Sequence, residues 1–462
     1  MQKDFSLAKA YSQVFVSSFK HDSREIYRAR RRALMEKIDS VCVFAGMPVE
    51  PGGEEAFTST WTKFIQEPAF LFLTGVNQAG CFLLLDPASK SEVLFVPKKD
   101  PFKEFWVGKR IGYLEGDSGA SRLTGFVDVR SADTFYECLA ERMGRKGAKK
   151  FIYAFFHEKF QSDHNWKFKQ KLERTLRPER VSVRSVAALH WELRLPLDAP
   201  RVEEAKRAQV ATDKAFRELL KAMPSFKGER DLGLFLDHQL LLNGDGDLAF
   251  PTIVASGENA CCLHYVKKDE PLKKGSLVLL DFGTRVGTLH SDISRTIPVN
   301  GKFNPLQKML YEIVLDSAAE YRKAVCPGVS LREIGNIPWD FIMEALETRL
   351  VKGARGTYEL LYDRRPHGVS HFIGEQIHEG NPGSRSLTTV LEPGMMISCE
   401  PGLYGTFSAT IGGKRYREKI GIRIEDDLLI TRNGHVNLSS RIPRTVAEIE
   451  ALMSSAKASD II

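Results

Sequence analysis

At 462 residues the chain exceeds the length over which one hydrophobic core usually keeps growing, so two domains are expected. A composition of 43% hydrophobic and 27% charged residues is ordinary for a globular protein, and a net charge of +7 is mild at this size. No apolar run approaches the ~20 residues that span a bilayer, and the opening MQKDFSLAKAYSQVFVSSF lacks the basic segment and apolar core of a leader, so neither membrane insertion nor secretion is expected.

Seven cysteines, Cys42, Cys81, Cys138, Cys261, Cys262, Cys326 and Cys399, are odd in number, scattered, and form no C-x-x-C pair. That pattern predicts reduced thiols in a cytoplasmic protein rather than a disulfide framework or zinc knuckle. The densest basic runs, YRARRRALMEK at 27–37 and GRKGAKK at 144–150, lack interleaved aromatics and read as a solvated helix face and a basic loop, so no nucleic-acid partner is expected.

In chain order, residues 1–196 read as a mixed α/β domain. SVCVFAG, AFLFLTG, CFLLLD and EVLFVP are expected as strands because they are short, apolar and bounded by Gly, Pro or Asp. Helices are expected around 25–38 and 133–143. Two prolines in LRLPLDAPRVEEAKRAQ break the chain before a long amphipathic pattern expected to carry acidic residues in its first turn, which places the second domain at 197–462. It opens with helices near 201–223, 228–242, 304–325 and 330–349. The strand-like SLVLLDFGT, HSDISRTIPV, MMISCEPGLY and GIRIEDDLLIT complete an α+β domain.

Acidic residues are depleted from strands, yet Asp281, Asp292, Glu400 and Glu425 sit in or at the ends of these segments. Buried carboxylates are costly unless paired or bound to a metal. In LLDFGTRVGTLHSDISRT, a turn centred between Val286 and Gly287 would set Asp281 opposite Asp292, with Cβ atoms roughly 5 Å apart. Like charges so placed call for a cation between them; the alternative is a wet sheet face. Glu400 precedes Pro401, which favours an extended backbone, and Arg423 projects with Glu425 from one side of GIRIE. Singly, each glutamate reads as a structural salt-bridge partner. Together with one histidine the four carboxylates make an oxygen-rich site suited to Mn, Mg or Fe. Two divalent cations would nearly balance that charge and could activate a bridging water, which is hydrolytic machinery.

The ordered series DFGTRVGTLHSD, HGVSHFIG, CEPGLY and GIRIEDD resembles the pita-bread metallopeptidases, the methionine aminopeptidase, aminopeptidase P and prolidase superfamily. FPTIVASGENACCLHY and IPRTVAEIEALM extend the resemblance over 200–455, while YRARRRALMEKI, FLFLTGV and KEFWVGKRIGY are similar, more loosely, to the creatinase-type N-terminal domain of the proline-specific members. The resemblance implies that Asp281 binds one metal, that Asp292 and Glu425 bridge two, and that His371 and Glu400 bind the other. It implies further that Glu400 is an acid/base, that His264 and His378 hold the substrate and its tetrahedral intermediate, that His367 lines a proline pocket, and that Arg423 anchors the carboxylates. Of the three histidines in HGVSHFIGEQIHEG, one is then a ligand and two handle substrate; Gly368, Gly374 and Gly380 argue against the regular helix of a zinc-protease signature.

The long N-terminal domain speaks against a methionine aminopeptidase, and the intact ligand set speaks against an inactive pita-bread binding module. The 29 positions from His371 to Glu400 and 25 from Glu400 to Glu425, with Ser370 before the histidine, resemble aminopeptidase P more than prolidase, an Xaa-Pro dipeptidase. The expected activity is that of the bacterial Xaa-Pro aminopeptidases: removal of the residue before a penultimate proline by a hydroxide held between two Mn(II) ions, in a homodimer or homotetramer. The chain departs from that pattern in FIQEPAFLFLTG, where Ile65 and Pro68 intrude, in Glu375, where an apolar residue is usual, and in Glu379, where Asp is usual.

Overall fold

The computed structural model describes residues 11–16, 22–49, 64–157, 159, 161, 163–380 and 384–455. Most of the opening segment weighed above as a possible leader lies outside these. The chain divides into two compact units, Met1–Arg194 and Leu195–Ile462. Among the described residues no helix is long and apolar enough to cross a membrane.

The first unit is one mixed sheet with helices on both faces. Its strands are β1 (Cys42–Ala45), β2 (Phe82–Asp86), β3 (Ser91–Val96), β4 (Asp128–Ser131), β5 (Phe151–Ala154) and β6 (Ser182–Ser185), in the order β4-β3-β2-β1-β5-β6. β1, β2 and β3 pair antiparallel, while β4, β5 and β6 join in parallel. One face packs Phe44, Leu83 and Leu94 under helices Ser23–Met35 and Ala187–Arg194; the other packs Val43, Leu84 and Phe95 against Phe135, Leu139 and Phe168. This covering of both faces explains why the strands read as continuous apolar runs.

Two expectations fail in this unit. AFLFLTG is a helix, Pro68–Thr74, not a strand. Glu67 caps it by accepting from the Phe70 amide at 2.7 Å, Pro68 starts it, and Gly75 ends it at φ 69°; burial all round had erased its helical period. The basic helix Ser23–Met35 is not wholly solvated either. Arg31 is fully buried, stacked 3.8 Å from the Phe126 ring centroid and paired with Glu92 at 2.8 Å. The basic loop at 144–150, in contrast, is largely exposed.

The second unit lays helices Ala199–Ala222, Glu229–Asn243, Pro305–Ala324 and Ile337–Ala345 against short antiparallel strands. Asp198 caps the first by accepting from Arg201, and the acids Glu203 and Glu204 fall in its second turn rather than its first. The predicted helix at 330–349 is broken at Gly335 and Asn336 and ends in a π-helical stretch, Leu346–Gly353. The strands are β7 (Asp247–Leu248), β8 (Ile253–Ser256), β9 (Leu277–Phe282), β10 (Thr284–Val286), β11 (Leu289–His290), β12 (Ile293–Pro298), β13 (Thr357–Leu360), β14 (Met396–Cys399), β15 (Gly402–Ile411), β16 (Lys414–Arg423), β17 (Asp426–Thr431) and β18 (Gly434–Asn437). They form four three-stranded sheets, β12-β9-β8, β11-β10-β7, β13-β15-β16 and β14-β17-β18. The Glu425 amide donates to the Ser294 carbonyl at 3.0 Å, stitching the β16–β17 junction to β12.

The hairpin register differs from expectation by two residues. Asp281 pairs with Ser294, Phe282 with Ile293 and Arg285 with His290. The turn is Gly287–Thr288, with Gly287 at φ 62°, a conformation that suits glycine and not Val286. Asp292 is therefore level with Gly283, between the Ile293–Phe282 pair and the bond from the Ser291 amide to the Thr284 carbonyl. A shift of two keeps both aspartates on one face, so the inference of proximity survives the wrong register.

Candidate active site

The five residues singled out as ligands meet where β9, β12 and the β14–β17 strands converge. Asp281 lies on β9, Asp292 just before β12, Glu400 between β14 and β15, and Glu425 between β16 and β17, while His371 comes from the loop before β14. Oxygens of Asp292 and Glu425 and a nitrogen of His371 lie within 4.8 Å of one another. His371 Nε2 is 3.4 Å from Asp292 Oδ2 and 3.5 Å from Glu400 Oε1. Its Nδ1 donates to the Phe372 carbonyl at 3.1 Å, which turns Nε2 toward the carboxylates as the atom that would meet a metal.

Arg423 closes the other side, donating from Nη2 to Asp281 at 2.5 Å, from Nε to Ser294 Oγ at 2.8 Å and from Nη1 to the Tyr404 hydroxyl at 3.2 Å. Ser294 Oγ in turn donates to Glu425 Oε2 at 2.8 Å. Its hydroxyl therefore ties the guanidinium to a carboxylate.

One arginine does not balance four carboxylates. Burial first, and then the mutual repulsion of the cluster, pushes Glu425 well above the usual carboxylate range and Glu400 to about 7, against the pull of His371 and Arg423 on Glu400. Asp281 is raised by burial despite the neighbouring Arg423. Burial opposes protonation of His371, but Asp292 and Glu400 outweigh it and raise the imidazole to about 9. A site that draws protons this strongly is deficient in positive charge. Asp281 Oδ1 is buried and makes no hydrogen bond, an acceptor with no protein donor. Both observations fit divalent cations held by carboxylate oxygens and one imidazole.

The remaining predicted residues surround this cluster differently. His367 meets the edge of Trp339, with ring centroids 5.4 Å apart, lies 5.8 Å from the Tyr404 ring, and accepts from the Tyr404 hydroxyl at 3.2 Å. Burial lowers its pKa to about 4, so the 3.6 Å approach of its Nδ1 to Glu400 is no ion pair. The exposed His378 lies against His371, ring centroids 4.3 Å apart. His264 is exposed on the loop after the short helix Gly257–Cys261, near enough that its charge acts on His367 and His378.

Sequence reasoning missed Ser294, Tyr404, Trp339 and Asp427. Asp427 is fully buried and accepts the Asp292 amide at 3.0 Å and the Gln209 side chain. The run of three acids Glu425, Asp426 and Asp427 entering an apolar strand was the available signal. Asp426 is neutralised separately by Arg295 and Arg444, at 2.7 and 3.1 Å. Ser294 carries no such mark beyond sharing a strand face with Asp292.

Helices over short antiparallel sheets, with four carboxylates and one imidazole in the fold between them, define a metallohydrolase. Known proteins narrow this. Residues 203–432 match Metallopeptidase family M24, and residues 27–153 match the Aminopeptidase P, N-terminal domain. The rat protein named Xaa-Pro aminopeptidase 3 is 33% identical over 405 residues, covering 85% of this chain and 77% of its own. The Xaa-Pro aminopeptidase of Escherichia coli K12 is 30% identical over 461 residues, 94% of this chain and 99% of its own. The structure of zinc-substituted E. coli aminopeptidase P in complex with product superposes with a TM-score of 0.79 at 27% identity, covering 95% of this chain and all of that one. The chain belongs to the M24 metallopeptidases, in the aminopeptidase P and prolidase branch, with a pita-bread domain behind an aminopeptidase P N-terminal domain. It is a metal-dependent exopeptidase.

Proposed function

We propose that the chain is an Xaa-Pro aminopeptidase that takes two Mn(II) ions. The observation that carries this reading is the cluster of Asp292, Glu425, Glu400 and the Nε2 of His371, with Asp281, whose buried Oδ1 has no donor, joined to it through Arg423 and Ser294. These five side chains would hold the metals, which when bound supply Lewis acidity and a water of lowered pKa. Names of relatives across most of the chain point the same way.

The chain's own groups divide the remaining work. Arg423 and Ser294 orient Asp281 and Glu425. Glu400 would take a proton from the attacking water and deliver it to the departing proline nitrogen, which carries no hydrogen in the peptide and must gain one to leave. His378 and His264, exposed beside the cluster, donate to the substrate carbonyl oxygen as it gains charge. Trp339, His367 and Tyr404 offer ring faces and edges to the proline. A homo-oligomer is supported by helix Pro101–Val107, where Phe102, Phe105 and Trp106 are 71, 82 and 54% exposed in one unit's apolar patch.

The test is release of the first residue from Xaa-Pro-Xaa tripeptides with added Mn(II), against Xaa-Pro dipeptides. Release from tripeptides, lost in Asp292→Ala and on chelation, is expected. No release by wild type, or full activity in Asp292→Ala, would refute it, and cleavage of dipeptides alone would make the enzyme a prolidase.

A further inference from the structure

His371 and His378 sit on opposite arms of a short hairpin. Phe372 bridges to Glu379, whose amide donates to the Phe372 carbonyl at 2.8 Å; the Gly374 amide donates to the Gln376 carbonyl at 3.0 Å, and the Gln376 amide to Glu379 Oε2 at 3.1 Å. The arms are held differently. The His371 arm is stitched to β14: its amide donates to Ser398 Oγ at 3.0 Å, its carbonyl accepts the Ser398 amide at 2.9 Å, and the Ile373 amide donates to the Met396 carbonyl at 2.9 Å. The Glu379 amide and carboxylate tie the His378 arm to the hairpin itself, so the position of the tip bears on the place of this arm.

The tip is tied to the scaffold twice. His290 Nδ1 donates to the Gly374 carbonyl at 2.9 Å. Arg201 Nη1 lies 3.3 Å from both carboxylate oxygens of Glu375, in a pair whose side chains are 2 and 1% exposed. Arg201 is itself fixed, donating to the Pro196 carbonyl at 2.6 Å and to Asp198 at 3.3 Å. A buried ion pair is a poor way to gain stability, since apolar side chains of similar volume do as well, but it restricts orientation strongly. The pair joins the first turn of a 24-residue helix to a hairpin 174 positions away.

We infer that Arg201 and Glu375 are positioning residues: the buried pair fixes the hairpin tip and thereby sets the imidazole of His378 over the substrate. This rests on the aminopeptidase reading. Glu375→Leu, assayed with Mn(II) and an Xaa-Pro-Xaa peptide, is expected to lower kcat by about 10- to 100-fold, the scale of a small misplacement of a reacting group. KM and the bound metal measured by mass spectrometry should hold, because the His371 arm is secured by β14. In a His378→Ala background the same substitution should cost nothing further.

Unchanged activity, a loss carried by KM or by metal release, or an equal loss in both backgrounds would overturn the inference. Where Glu375→Leu unfolds the chain by stranding the guanidinium, Arg201→Met/Glu375→Leu removes both charges and is read by the same criteria. A wild type without peptidase activity fails the functional reading; an active wild type matched by Glu375→Leu fails only this one.

Discussion

Ser294→Ala tests whether the carboxylate cluster is organised by the hydroxyl between Arg423 and Glu425. Ser294 is fully buried, donates to Glu425 Oε2 at 2.8 Å and accepts from Arg423 Nε at 2.8 Å. The alanine removes two hydrogen bonds to charged groups, each worth about 1.5–3 kcal/mol, and strands a buried guanidinium N–H. Relaxation of Arg423 onto Asp281 and Tyr404 recovers part of this, so a net loss of about 3 kcal/mol is expected. For a unit of this size that lowers Tm by about 6–12 °C. Glu425 also loses the donor that orients it, and removal of such a partner weakens metal binding by about 10- to 100-fold. Thermal unfolding with and without Mn(II), together with a chelator competition titration, reads both effects. A Tm within about 1 °C of wild type with unaltered metal affinity would refute this account of Ser294.

Two further outcomes follow from the same structure. Burial, resisted by the Phe70 amide and Arg194, raises Glu67 from 4.5 to about 6, so the folded chain binds this proton more tightly than the unfolded one. Its ionisation costs nothing below the unfolded value and up to about 2 kcal/mol once pH has risen through 6. Glu67→Gln keeps an acceptor for the Phe70 amide and should raise the urea midpoint at pH 7 while gaining little at pH 4.5; an equal gain at both would refute the assignment. In Gly283→Ala the new methyl carbon would sit 1.9 Å from the Ser291 carbonyl oxygen, beside Asp292. A destabilisation of about 3 kcal/mol with weakened Mn(II) binding is expected, and wild-type Tm and metal affinity would show that the hairpin yields without cost.

Much of the site was legible before any coordinates. Acidic residues in apolar segments announce themselves because such placement is costly without a partner, and Asp281, Asp292, Glu400 and Glu425 do converge in the fold. The proximity of the two aspartates was read from a turn placed one residue too early, and it survived because a register shift of two leaves both side chains on the same face. Capping signals were equally local: Glu67-Pro68 and Gly75 bracket a helix that an apolar run had disguised as a strand.

Residue order therefore determined which groups are dear to bury and on which strand face each lies, since both depend on neighbours within a few positions. Tertiary structure alone decided who answers them. Ser294 is marked only by its contact with Arg423 and Glu425, 129 and 131 positions away. Asp427 reads as one more acid until its carboxylate is seen to hold the Asp292 amide. Glu375 stood out as a departure with no stated purpose, and its partner Arg201 lies 174 positions earlier. Contacts across such separations form only when distant elements dock, and no period or motif along the chain encodes them.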